Sequence, residues 1–195
     1  NVLFKVSYPA EFHSQTAVEA AQRLNKKLAA MGKTAADIDH VVNRTHEACI
    51  RIIDKQHKPM DNFADRDHCV QYMVANIRAI ASPRIAAPQY LLRGRPTIHG
   101  RNYHDPEKRT IANALTVTLK DGTVLDEEVV EAPLGHRLRR EEAKPEILEK
   151  YRRHLEPHFP AERTKQLVDL GNAPEKLYAM PVDEYVDLYA KERIL

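Results

Sequence analysis

Cysteine is nearly absent from this sequence: Cys49 and Cys69 are the only two, and neither belongs to a Cys-x-x-Cys pair. That argues against a disulfide scaffold and fits a reducing compartment, so a cytoplasmic location is expected. Long apolar runs are missing as well. None approaches the roughly 18 to 20 residues that a bilayer-spanning helix needs, and no secretory signal is read at the start. A strong excess of one charge is also lacking, the formal net charge being +2, which is too small to imply a nucleic-acid partner. Basic residues gather at 137–140 and 152–153, but Glu141, Glu142, Glu146 and Glu149 follow or interleave, as on a solvated helix face. Ten histidines are scattered along the chain. Their spacings, such as His46-x-x-Cys49 and His68-Cys69, match no compact zinc pattern, so no metal is expected.

What is present suits a globular α+β protein. Hydrophobic residues make up 43% of the 195 positions, enough for one core or for a domain with appended helices. Val18, Ala21, Leu24, Leu28 and Met31 recur at three- and four-residue steps, which predicts a helix stopped by Gly32. A strand is expected over 37–45, a short helix or strand over 47–55 with helix favoured, and a longer helix from Asn62 or Asp65 to about Ile80, with Cys69, Met73, Ile77 and Ile80 as its stripe. A short strand over 87–92 would follow. The clearest signal is the alternation over 112–132 around Asp121-Gly122, which predicts a hairpin with a two-residue turn. Three helices beginning near Pro145, Pro160 and Pro174 complete the order.

The stretch FKVSYPAEFHSQTAVEAA, residues 4–21, places Lys5, Glu11, His13 and Gln15 close together. Pro9 ends an extended lead-in, and a helix should begin near Ser14 or Thr16, where Thr16 and Glu19 have capping-box spacing. Backbone N–H groups at such a helix start suit an anionic substrate, and the side chains supply a cation, a carboxylate and a group that titrates near neutrality. An ordinary amphipathic helix with a polar first turn would look the same. Glu11 and Gln15, four apart, would then simply share a face.

This stretch resembles the MmgE/PrpD family, as do ADRDHCVQYMVA at 64–75, YHDPEKRTIANA at 103–114 and MPVDEYVDLY at 180–189, all in the family's order. The resemblance implies a small antiparallel sheet with packed helices over 1–136, a lid-type domain, then C-terminal helices over 137–195. These would join a large N-terminal helical domain that precedes the matched part in the family. The chain begins abruptly at Asn1, and a piece of a longer protein is expected.

The implied activity is cofactor-independent elimination of water from a tricarboxylate, 2-methylcitrate, in propionate catabolism, by an enzyme expected to form a homodimer. Two cysteines cannot supply a full set of iron–sulfur ligands. The resemblance casts Lys5 as the cation that neutralises a substrate carboxylate, and His13 and Glu11 as catalytic groups, with either His13 as acid/base or Glu11 orienting it. In related decarboxylases of the family histidines stand near the positions of Glu11 and Gln15, and their absence here favours dehydration. Tyr72, Arg66, His68, Gln15 and His136 are the expected substrate-binding residues, with His68 and Tyr72 on one helical face. Other readings are a different tricarboxylate lyase, such as a citrate dehydratase or a cis-aconitate decarboxylase, and a non-catalytic lid or dimerisation module. The stretch after Val74 is shorter than in relatives.

Overall fold

A 3-10 turn, Phe12–Ser14, runs straight into helix α1, Gln15–Ala30. In the computed structural model the described residues are 6–55, 58–76, 89–92 and 103–190, of which 89–92 are described by backbone alone. Val18, Ala21, Leu24 and Leu28 fall on one stripe of α1 and are buried against the sheet, the spacing that makes this segment a helix. Its end closes as a Schellman motif. The N–H of Lys33 reaches the Leu28 carbonyl at 2.9 Å and that of Gly32 reaches Ala29 at 3.0 Å, with Gly32 at φ 66°, a conformation that only glycine holds without strain. Met31 leaves the stripe and caps the helix, 47% exposed.

The capping box expected at Thr16 and Glu19 does not form. The helix starts early enough to place both residues inside it, where the buried Thr16 hydroxyl donates to the Ile111 carbonyl at 2.5 Å and Glu19 pairs with Arg23 and Arg139.

Strands β1 (Ile38–Thr45), β2 (Gln89–Leu92), β3 (Asn113–Leu119) and β4 (Glu128–Val130) form one sheet in the order β2-β1-β3-β4. The β1–β3 and β3–β4 pairs are antiparallel, as expected, while the edge strand β2 runs parallel to β1. On the face toward α1, Val41 lies opposite Val117, Asn43 opposite Leu115 and Thr45 opposite Asn113. The inner face is thus apolar at one end and polar at the other. The hairpin is present, but its turn is a three-residue loop. Leu119 N–H bonds the Thr123 carbonyl at 2.8 Å, Gly122 N–H bonds Leu119 at 3.0 Å, and Gly122 takes φ 86°, the geometry of a turn closed by a glycine bulge.

Helix α2, Glu47–Ile53, follows β1 directly. The single helix expected over 62–80 is instead two short ones, α3 (Phe63–Asp67) and α4 (Val70–Ala75). Asn62 caps α3 by accepting from Asp65 N–H at 2.9 Å, and the Cys69 thiol, accepting from Tyr72 N–H at 3.4 Å, caps α4. His68 therefore closes one helix while Tyr72 sits in the next, and they share no face. Ile77 and Ile80 lie outside the described residues.

Two compact units divide the chain at Arg139 and Arg140. In the second, α5 (Arg140–Leu155), α6 (Ala161–Gly171), α7 (Pro174–Ala179) and α8 (Val182–Asp187) bury Leu155, Leu167 and Leu170. Pro160, Pro174 and Pro181 stand at helix starts, but Pro145 lies inside α5. Glu141 and Glu142 occupy the first turn of α5, where the helix dipole favours acids, and this carries the start upstream of the proline. Tyr189 joins Tyr151 and Tyr185 through their hydroxyls, the latter at 3.0 Å.

Candidate active site

The polar end of the sheet's inner face is where the chemistry gathers. β1 ends at Thr45 and hands over to α2 through His46, which caps α2 and is 2% exposed. The 3-10 turn before α1 brings His13 against it, His13 Nδ1 lying 2.8 Å from His46 Nε2. The far nitrogen of His46, Nδ1, faces the Ala112 carbonyl at 3.3 Å and the Thr45 hydroxyl at 3.4 Å. Tyr103 stacks on His46 with ring centroids 5.1 Å apart, and Arg109 lies over Tyr103, its Nε donating to the Tyr103 carbonyl at 2.8 Å.

His13 is also held by its backbone. The Glu11 carboxylate accepts its N–H at 2.7 Å and the Asn113 amide donates to its carbonyl at 2.9 Å. Asn113 also donates to the Thr16 hydroxyl at 2.8 Å and accepts from the Asn43 amide at 3.1 Å, so one side chain joins β1, β3, α1 and the 3-10 turn.

Burial governs the titration of this pair. It pushes His46 down to about 4, with the hydrogen bond to the Ala112 carbonyl pulling the other way. It also lowers His13, which the nearby Glu11 charge partly offsets. Both rings are therefore neutral near pH 7. A neutral half-buried histidine beside a carboxylate can take up or release a proton there.

A second feature lies on the Tyr8–Ala10 side of the same loop. A cleft of about 460 Å³ is lined by Tyr8, Phe63, Arg66, Tyr72 and Met73 among others. The Arg66 guanidinium sits 6.0 Å from the Tyr72 ring centre and donates from Nε to the Met60 carbonyl at 2.9 Å. Tyr8 donates its hydroxyl to Gln22 at 2.6 Å, and burial pushes its pKa up to about 12.

The structure thus brings Glu11 together with His13, and Arg66 together with Tyr72, but neither Glu11 nor His13 lines the cleft. The Glu11 carboxylate caps its own turn, and the ring of His13 is oriented by His46. Gln15 is 2% exposed, and its amide donates to the Tyr8 and Ala10 carbonyls at 2.9 and 2.6 Å, pinning the loop from inside. His68 is exposed beside Asp67. His136 is buried after Gly135, its Nδ1 accepting from Leu138 N–H at 3.3 Å. Lys5 lies outside the described residues. His46, Tyr103 and Asn113 were not anticipated; the only trace of His46 in the sequence is its place at a strand–helix junction.

The sequence profile of the MmgE/PrpD C-terminal domain matches residues 8–82 and 96–172, well over half of the chain. The chain belongs to the MmgE/PrpD family. Within the family it is 52% identical over 208 aligned positions to a 2-methylcitrate dehydratase of Cupriavidus necator, covering 97% of this chain and 42% of that protein. It is 47% identical to a 2-methylcitrate dehydratase of Escherichia coli K12, covering 97% and 42%. A mitochondrial 2-methylcitrate dehydratase of Yarrowia lipolytica is 46% identical, with 98% and 39% covered. The chain therefore spans about two fifths of the length of these relatives, 42% for the first.

Proposed function

We propose that this chain is the C-terminal portion of a 2-methylcitrate dehydratase, which removes water from 2-methylcitrate to give 2-methyl-aconitate. The observation that carries the reading is the identity of 52% to a protein of that name over 97% of this chain, joined to a buried histidine pair that suits proton transfer. In the elimination, a C–H bond beside a carboxylate breaks to a base and its electrons form the C=C bond. The C–O bond then breaks, and the hydroxyl leaves with a proton as water. His13 is the base or acid of this step. Arg66 and Tyr72 bind substrate carboxylates in the cleft, where a guanidinium offers paired donors, and Lys5 neutralises the charge that develops beside the reacting carbon. The two cysteines, both free and buried, agree with a cytoplasmic enzyme, and a homodimer is proposed for its assembled form.

The separation of His13 from the Arg66–Tyr72 cleft favours a second reading for the isolated chain, in which it folds as a module without turnover. Both readings are tested by supplying 2-methylcitrate to the full-length enzyme and to this chain and following unsaturated-acid absorbance. Activity is expected only in the former, and turnover by the isolated chain would defeat the second reading. In the full-length enzyme, Lys5→Ala and His13→Asn are each expected to lower kcat by about 100-fold or more, the scale of a lost proton-transfer or charge-stabilising group. Wild-type turnover in His13→Asn would remove it from the mechanism.

A further inference from the structure

We propose that His46 is a positioning residue: it holds the ring of His13 with the proton on Nδ1 and the lone pair on Nε2, ready to accept a proton. The inference rests on the reading of His13 as the proton-transfer group. The argument is one of donors and acceptors. Between two neutral rings whose facing nitrogens lie 2.8 Å apart, one nitrogen must carry the hydrogen and the other must be bare. The Ala112 carbonyl, which can only accept, faces His46 Nδ1 at 3.3 Å, so that nitrogen carries the proton. His46 Nε2 is then bare and must accept, which makes His13 Nδ1 the donor. The chain Ala112 carbonyl, His46, His13 runs in one direction and ends on His13 Nε2, which has no hydrogen-bond partner among the described residues.

The opposite order would require the Thr45 hydroxyl, at 3.4 Å, to donate to His46 Nδ1 and would leave the Ala112 carbonyl without this donor. A buried carbonyl left unpaired is costly. The fold also holds both rings in place. His46 is 2% exposed, covered by Tyr103, and fixed at the junction of β1 and α2. The backbone of His13 is bonded on both sides, by Glu11 and by Asn113. Because burial keeps His46 neutral, it stays an acceptor through the pH range in which His13 works. An unconstrained histidine prefers its proton on Nε2, which would block the lone pair needed for a base; His46 reverses that preference.

The test reads the ring nitrogens directly, in this chain labelled with 15N-histidine, through two-bond 15N–1H correlations at neutral pH. His13 and His46 are each expected to show a protonated Nδ1 and a bare Nε2. His46→Gln, whose amide oxygen can accept in the place of Nε2, is expected to keep the His13 pattern, whereas His46→Leu moves the His13 proton to Nε2. A wild-type His13 protonated on Nε2, or a pattern indifferent to His46→Leu, would overturn the proposal. In the full-length enzyme His46→Leu is expected to lower kcat by about 10- to 100-fold with KM nearly unchanged, and His46→Gln to restore most of it. If the nitrogen pattern is as stated but His13→Asn retains turnover, the catalytic reading of His13 fails while the assignment of its tautomer holds.

Discussion

A histidine held neutral in the interior ties the fold to the pH. The folded value of His46 is near 4 because burial disfavours its cation, whereas an unfolded chain returns it to about 6.5. Between those values the unfolded state binds the extra proton, so stability rises with pH across that window. The contribution is complete above about pH 6.5 and is lost as the pH falls toward 4. From pH 7 to 5 the loss attributable to His46 is about 2 kcal/mol, from a shift of roughly 1.4 kcal/mol per pH unit. Urea unfolding at the two pH values, for the wild type and for His46→Gln, measures it. The variant should show a weaker dependence by that amount, and parallel behaviour of the two would mean that folding does not lower the His46 pKa. His13 acts in the same direction, since its value is also lowered by burial, with Glu11 opposing.

Elements built on local rules were legible in the sequence, and those built on distant partners were not. The stripe of α1, the Gly32 stop and the Asp121-Gly122 turn depend on neighbours within a turn or two and appear where expected, although the returning strand is regular only over Glu128–Val130, with a single bridge at Val124 before it. No proline or glycine marks the break at His68-Cys69 in the sequence; a thiol cap and a turn ended by His68 make it. Thr16 fits a capping pattern by spacing, yet tertiary burial against Ile111 takes its hydroxyl. His46 and His13 are 33 residues apart and Asn113 is 100 from His13, so no window along the chain joins them. At this scale the link to test is Asn113, whose amide ties four elements together. Asn113→Ala leaves the Asn43 amide and the His13 carbonyl unpaired inside the protein and is expected to cost about 2 to 3 kcal/mol. The urea midpoint should fall with little change in slope, and a loss below about 0.5 kcal/mol would mean that relaxation re-pairs these groups.

For the molecule as a whole, the question is what closes the first unit. Composition places residues 137–140 on a solvated basic face, and the resemblance placed the boundary after His136. The first compact unit of the structure runs through Arg139. The reason is a two-point clamp: Arg139 donates to both oxygens of Glu19, at 2.8 and 3.1 Å, and to the Ala132 carbonyl at 2.8 Å. Both side chains are largely shielded, at 17% and 13% exposure, so solvent screens the pair less than an exposed one. The clamp ties the segment that follows β4 back onto α1, and the 3-10 turn Arg137–Arg139 belongs with the sheet rather than with α5. A polypeptide of residues 1–139 is therefore expected to be more stable than one of 1–136 by about 1 to 3 kcal/mol, the range for hydrogen bonds to charged groups. Arg139→Ala in the intact chain should destabilise the first unit by a similar amount. Lysine at that position should recover only part of it, because an ammonium cannot span both carboxylate oxygens as the planar guanidinium does. Coincident urea midpoints for the two shortened polypeptides would show that the first unit is already closed at His136.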